Sequence, residues 1–256
     1  MNGKIPGENR EKRFRSVTEL VLPVEARLLM LAPHPDDFDA IAVTLRFLAG
    51  RGNPLEVVVL RTGSGVEDGY RSGLTRTGKA ELREQEQRAS LRFFGLPDRS
   101  LTFLNLSADI DDQPVDCPEN RTVLRRILRE KAPDLVFLPH GNDTNSGHRV
   151  LYALFAQAAA CAGRPMSAFL NRDAKTISMR TDFYMPFGAA PAAWKAELLR
   201  FHDSQHQRNL RTRGQGFDER VLHVNRHSAR ELHLEEEYAE AFEVESWLRP
   251  PARKKT

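Results

Sequence analysis

The chain has 256 residues, a formal net charge of +3, 40% hydrophobic and 29% charged residues. That is an ordinary globular make-up with enough apolar material for a sizeable core. The slight charge, with no basic block interleaved with aromatics, argues against nucleic acid, and no apolar run nears the roughly 18 residues of a membrane span.

In chain order, residues 1–15 are polar and charged, lack a secretory core and read as a flexible tail. Residues 16–248 read as a single domain, and 249–256 as a basic tail. Leu28 to Leu31 is a short buried strand, broken at Pro33 and Pro35. His34, Asp36 and Asp37 sit between and after those prolines, and a helix is expected over about Asp39 to Gly52. Leu55 to Arg61 is strand two. Thr62 to Gly78, rich in glycine, is a long loop, either a lid or plain surface. Lys79 to Phe94 is a helix with Gly95 as its C-cap. Strand three is Leu101 to Leu106. The acidic stretch Ser107 to Asn120 lacks the glycine and glutamate of an EF-hand and reads as a surface loop.

Arg121 to Lys131 is a helix, and Asp134 to Leu138 is strand four. Its polar end carries His140, Asp143, Asn145 and His148, before an alanine-rich helix from Arg149 to Ala162. Short strands are expected at Ser167 to Leu170 and Thr176 to Met185, then a helix from Ala192 to Gln205. A basic loop from Gln207 to Asp218, a late strand at Val221 to Val224 and a closing helix from Leu234 to Trp247 complete the reading. Alternating strands and helices predict an α/β fold, a Rossmann-like mostly parallel sheet with helices on both faces. Strands one and four are then neighbours, and ligands bind in the crevice at their carboxyl ends. The first turn has no Gly-x-Gly-x-x-Gly, so no dinucleotide is expected. Cys117 and Cys161 fit neither a disulfide framework nor a zinc pair, which suggests a cytoplasmic protein.

Imidazole and carboxylate are standard zinc ligands. His34 and Asp37, three apart, can reach one ion from a tight turn, which leaves Asp36 free as a base. The plainer alternative is an aspartate capping the next helix beside an exposed His34.

Ala32-Pro-His-Pro-Asp-Asp and Asn145-Ser-Gly-His-Arg-Val together resemble the LmbE/PIG-L family of zinc-dependent N-acetylglucosaminyl deacetylases. Arg83-Glu84 to Ala89, Phe94-Gly95-Leu96, His202-Asp203-Ser204-Gln205 and Tyr238-Ala-Glu-Ala-Phe242 match the family's later motifs in order, over about residues 27 to 245. The resemblance implies Zn2+ held by His34, Asp37 and His148, with Asp36 as general base. It implies hydrolysis of an N-acetyl group on an N-acetylglucosamine-type small-molecule conjugate, giving acetate and a free amino sugar. Asn145, Asp143, His140 and His202 are candidates for supporting contacts or proton donation; for the two histidines a purely structural role is favoured. Trp194 is expected in the core rather than as a sugar platform.

Three positions depart from the family pattern. Phe38 stands for a glutamate, Gly147 for an aspartate and Asn145 for a histidine found in many members. If the missing glutamate supports the ligands, Phe38→Glu should fold and tighten zinc binding. A zinc amidase on a larger thiol or antibiotic conjugate and a metal-holding protein without catalysis stay open as alternatives, as does a homo-oligomer. A glycosyltransferase-like site is disfavoured because two histidines suit zinc better than magnesium or manganese.

Overall fold

The computed structural model describes residues 14–63 and 65–247, so 1–13 of the expected N-terminal tail, residue 248 of the expected domain and the expected tail 249–256 lie outside the described residues. The elements are β1 (Arg15–Ser16), β2 (Leu28–Ala32), α1 (Ala42–Gly50), β3 (Leu55–Val59), α2 (Arg76–Phe94), β4 (Leu101–Phe103), α3 (Pro118–Lys131), β5 (Leu135–Pro139) and α4 (Ser146–Ala160). They continue with β6 (Met166–Asn171), β7 (Phe183–Phe187), α5 (Ala189–Arg200), α6 (Asp203–Arg213), α7 (Phe217–Glu231) and β8 (Tyr238–Trp247). Arg15, counted with the tail in the sequence, pairs with Phe183 at the sheet edge, and Phe14 packs on Tyr184.

One sheet of eight strands runs in the order β1-β7-β8-β6-β5-β2-β3-β4. The pairs are parallel except where β8 lies between β6 and β7, antiparallel to both. The expected Rossmann-like order therefore holds for β2 to β6, and β2 and β5 are neighbours in register from Leu28↔Leu135 to Met30↔Phe137. Their carboxyl ends open side by side at the switch point.

The central strands are apolar on both faces, as buried parallel strands must be. Leu28, Met30, Val57, Val59 and Phe137 pack one face against Ile41, Leu45, Leu48 and Leu91. Leu29, Leu31, Val58, Val136 and Leu138 pack the other against Leu124, Leu128, Leu154 and Phe155. Each such buried side chain contributes about 1.5–3 kcal/mol, and the two layers fix the strand ends that carry the polar turns.

The later chain differs from its sequence reading. The helix expected from Ala192 to Gln205 breaks at Phe201–His202 into α5 and α6, and the expected loop from Gln207 is α6 continued to Arg213. Val221 to Val224 lies inside α7, not in a strand, because Phe217, Val221, Asn225 and Ser228 recur at helical spacing on its buried side. The segment Tyr238 to Trp247 is a strand and not a helix: it is paired on both edges, by β6 and β7. Its Glu240 is buried against Lys195, with Nζ–Oε1 at 2.6 Å. Glu240 accepts from Val43 N (3.1 Å) and Thr44 N (2.8 Å) at the start of α1, where backbone donors lack helical partners. Lys195 also donates to the Ala40 carbonyl at 2.5 Å, so the segment after the first polar turn is pinned from below. Among the described residues, Cys117 and Cys161 are free thiols, and no helix is long and apolar enough to cross a membrane.

Candidate metal centre

The turn after β2 delivers His34, Asp36 and Asp37. His34 donates its backbone N–H to Asp37 Oδ2 at 2.9 Å, folding the turn on itself. Asp36 has φ 100°, a left-handed backbone that non-glycine residues seldom adopt. It is held there by α2. Gln87 Oε1 accepts from Asp36 N at 3.0 Å, and the buried Arg83 donates to the Pro35 carbonyl and to Asp36 Oδ2, the latter at 3.1 Å.

The loop after β5 delivers the second half. Asn145 is the N-cap of α4, its Oδ1 accepting from Gly147 N at 3.0 Å. His148 thus lies in the first turn of that helix and faces back to the sheet end. Its Nε2 is 3.4 Å from Asp37 Oδ1, and its Nδ1 is 3.1 Å from Asp143 Oδ2. On the other side, His34 Nδ1 is 3.4 Å from Asp37 Oδ2. One ligand atom from each of His34, Asp37 and His148 falls within 4.8 Å of the others. A second such group, Asp143, His148 and Asp173, overlaps it at His148.

This donor set fits zinc. Nδ1–H of His148 donates to Asp143, which turns the Nε2 lone pair toward Asp37. His34 Nε2, donating to Gln113 Oε1 at 3.0 Å, likewise leaves Nδ1 as the free nitrogen. The remaining nitrogens, Nε2 of His148 and Nδ1 of His34, therefore face the two oxygens of one carboxylate, a set of donors that can share a metal cation once both nitrogens are unprotonated. Without a metal, the same carboxylates favour a proton on His148. Burial alone opposes a charge on His148, but Asp37 and Asp143 overcome it and lift its pKa to about 10. Burial also works against an ionised Asp37, and the two imidazoles reverse this, holding it well below the usual carboxylate range. Asp36 goes the other way: burial raises it, Arg83 only partly offsets that, and Asp37 adds to it.

The remaining candidates separate cleanly. Asp143 touches His148. His140 does not reach the cluster: its Nδ1 accepts from Asn142 N at 3.0 Å and its Nε2 lies 3.3 Å from Glu243. His202 is buried beneath the turn, with Nε2 2.7 Å from Asp39 Oδ2, which also accepts from Gln87 at 3.1 Å. Ser204 of the same stretch is tied into the fold, and Gln205 lines the cavity. Ser204 donates from N and Oγ to Glu86, both at 2.7 Å, and Gln205 donates to the Gly65 carbonyl at 3.0 Å. Trp194 is only half-buried, with the Arg46 guanidinium over its ring.

One expectation about the departures needs correction. Phe38 does not face the cluster: it is fully buried in the apolar layer, its ring 5.0 Å from that of Phe94. A glutamate there would bury an unpaired charge, so Phe38→Glu is not the benign change expected. At Gly147 the lost aspartate has left no gap. A Cβ would stand 2.7 Å from His34 Cε1 and 2.8 Å from Gln113 Oε1, so glycine is what lets both approach. Gln113 and the pair Arg83 and Gln87 were not singled out in the sequence as site residues. A polar stripe at helical spacing, Arg83, Gln87 and Ser90, on the buried face of α2 is the signal that marks the latter two; Gln113, one amide in an acidic loop, has none.

The cluster opens into a cavity of about 440 Å³. His34, Asp36, Asp37 and His148 line it together with Lys175, Arg213 and Arg220, and Lys175 lies against the second loop, its carbonyl accepting from Thr144 N at 3.0 Å.

The family model described as PIG-L, GlcNAc-PI de-N-acetylase, matches residues 29–159. No curated protein matches the sequence. Among solved structures, the N,N'-diacetylchitobiose deacetylase of Pyrococcus horikoshii superposes with TM-score 0.71 at 18% identity, over 86% of this chain and 84% of that one. A 4-carboxy-2-hydroxymuconate hydratase from Pseudomonas putida KT2440 gives 0.65 at 17%, over 90% and 99%. The zinc-inhibited form of a teicoplanin deacetylase gives 0.58 at 16%, over 86% and 98%. At these identities the likeness is one of fold, and the fold serves both hydrolysis and hydration.

Proposed function

This chain belongs to the PIG-L family, and from that premise we propose that it is a zinc-dependent N-deacetylase acting on an N-acetylglucosamine-type conjugate. The observation that carries the proposal is the convergence of His34, Asp37 and His148 at the mouths of β2 and β5, with Asp36 beside them in one cavity. His34, Asp37 and His148 would hold the ion. Zinc, when bound, supplies a Lewis acid for the amide carbonyl and lowers the pKa of water toward about 7.

The chain's own residues do the rest. Asp36 takes the proton of the attacking water at its carboxylate, and its raised pKa keeps that proton available for the departing amine. Arg83 fixes one oxygen of Asp36, Oδ2, leaving Oδ1 for the proton. Asp143 holds the imidazole of His148 in one tautomer. Asn145, with its Oδ1 committed to the helix cap, offers its amide N–H groups to the carbonyl oxygen, without a proton to give. The products are acetate and a free amino sugar.

The test is direct. The purified protein should carry one zinc per chain and release acetate and primary amine in equal amounts from an N-acetylglucosamine glycoside. His148→Ala should lose metal and turnover together. A one-zinc protein that releases no acetate overturns the reaction, and full zinc in His148→Ala with loss in His140→Ala overturns the ligand set.

A further inference from the structure

The acidic loop between β4 and α3 reaches His34 through Gln113. The turn at its tip is closed on itself. Asp109 Oδ1 accepts from Asp111 N at 3.0 Å and from Gln113 N at 2.8 Å, and Asp109 N donates to the Gln113 carbonyl at 2.9 Å. Residues 109–113 therefore form one unit, and where Gln113 stands depends on what fastens that unit to the rest of the fold.

Asp112 fastens it. Ile110 at the tip is 91% exposed, yet Asp112, two residues on, is only 6% exposed. Its Oδ1 accepts from Arg61 Nε at 2.8 Å, from Arg61 Nη2, and from Arg76 Nη2 at 2.8 Å. Arg61 follows β3, and Arg76 opens α2. Two further bonds seat Arg61. Its backbone N–H donates to the carbonyl of Pro33, the residue before His34, at 3.1 Å, and its Nη1 donates to the Leu106 carbonyl, just before the loop, at 3.3 Å. One side chain and its own backbone thus join the His34 turn to the loop that carries Gln113. A Cβ at Gly63 would stand 2.5 Å from Asp112 Oδ2, so glycine is what lets the carboxylate seat. Asp112 itself has φ 60°, a left-handed backbone that aspartate adopts more readily than most residues. A buried carboxylate is costly without a partner, and charge-assisted bonds to guanidinium are the strong ones. The loop cannot lift from Arg61 without forfeiting them.

We infer that Arg61 and Asp112 are positioning residues for the metal centre: they hold the acidic loop where Gln113 Oε1 accepts from His34 Nε2, and so keep Nδ1 of His34 turned to the ion. The inference rests on the ligand set proposed above. It adds to that set a support reaching His34 from a loop nearly eighty residues away in sequence, |i−j| 79 between His34 and Gln113. Losing the partner of a ligating histidine typically costs about 10–100-fold in metal affinity.

The experiment measures zinc affinity by chelator competition, with thermal unfolding recorded for every variant. Gln113→Met, which keeps the length of the side chain and removes the acceptor, should lower affinity by about 10–100-fold. Gln113→Glu, which keeps an acceptor, should hold the wild-type affinity. Arg61→Gln should weaken zinc binding in the same range as Gln113→Met. Added to Gln113→Met, it should cost no more, because two residues that act through one contact are not additive. Arg121→Gln, which breaks the exposed 2.6 Å pair with Asp116 at the foot of the same loop, should leave affinity unchanged. Should Arg61→Gln fail to fold, Asp112→Asn takes its place in the same cycle. Unchanged affinity in Gln113→Met, a Gln113→Glu protein as weak as Gln113→Met, or losses that add in the double variant overturn the positioning role. A wild-type protein that binds no zinc overturns the ligand set and this inference with it. Zinc binding without acetate release overturns the deacetylase reading and leaves the positioning role standing.

Discussion

The residues that line the cavity come from two kinds of support, strand ends and helices. On the β2–β5 side, His34, His148 and Asp143 are buried to 8%, 2% and 1% exposure, and each is tied to a named neighbour. On α6 and α7, Arg220 is half-buried, Arg213 is exposed, and neither has an ion-pair partner among the described residues. The first set stands on ends of central strands, where two packed layers hold position to the tolerance that reacting groups need. The second stands on helices rather than on strand ends. In our reading, the reaction resides in the first.

The largest expected effect is at Asp36. Asp36→Asn should keep fold and zinc and lower turnover by about 10²–10⁴-fold, the usual cost of a lost general base. Near-normal turnover by the zinc-loaded variant would place the base elsewhere and break the division at its centre. Asp143→Ala comes next. With His148 no longer held at Nδ1, zinc affinity should fall about 10–100-fold in competition with a chelator; unchanged affinity would mean that the helix alone orients the ring. The smallest effect is expected at His140→Gln. That histidine shares the strand end with the cluster but bonds to Asn142 and faces Glu243, so zinc content should stay at one per chain. Loss of zinc there would redraw the boundary of the first set.

The first set was legible in the sequence and the second was not. Leu28 to Leu31 and Leu135 to Leu138 announce themselves as buried strands because a parallel strand must be apolar on both faces, and the prolines and polar residues after them mark where the sheet ends. The β8 segment hides its nature. Its glutamates and alanines have helical or neutral propensity, and only pairing with β6 and β7 on both edges makes it a strand. In α7 the buried positions include Asn225 and Ser228, so its amphipathic stripe does not look apolar. Gln113 carries no motif; it meets His34 only when the fold brings a distant loop to the cavity. Phe38 was misplaced for a related reason. Adjacency in sequence to Asp37 says nothing about direction, and in a tight turn successive side chains point to opposite sides.

The left-handed backbone of Asp36 has a consequence for how this protein would respond to laboratory selection. A non-glycine residue at φ 100° stores about 1–3 kcal/mol. Removing the carboxylate also strips Arg83 of its partner, so both Asp36→Ala and Asp36→Gly lose that contact, but only glycine relaxes the turn. Asp36→Gly should therefore unfold at higher denaturant than Asp36→Ala, although glycine is ordinarily the weaker of the two. Equal midpoints would show that the turn is relaxed. If the order is inverted as expected, a thermostability screen run without an activity filter would admit glycine at this position ahead of other inactive replacements, and its survivors would be folded, zinc-loaded and silent.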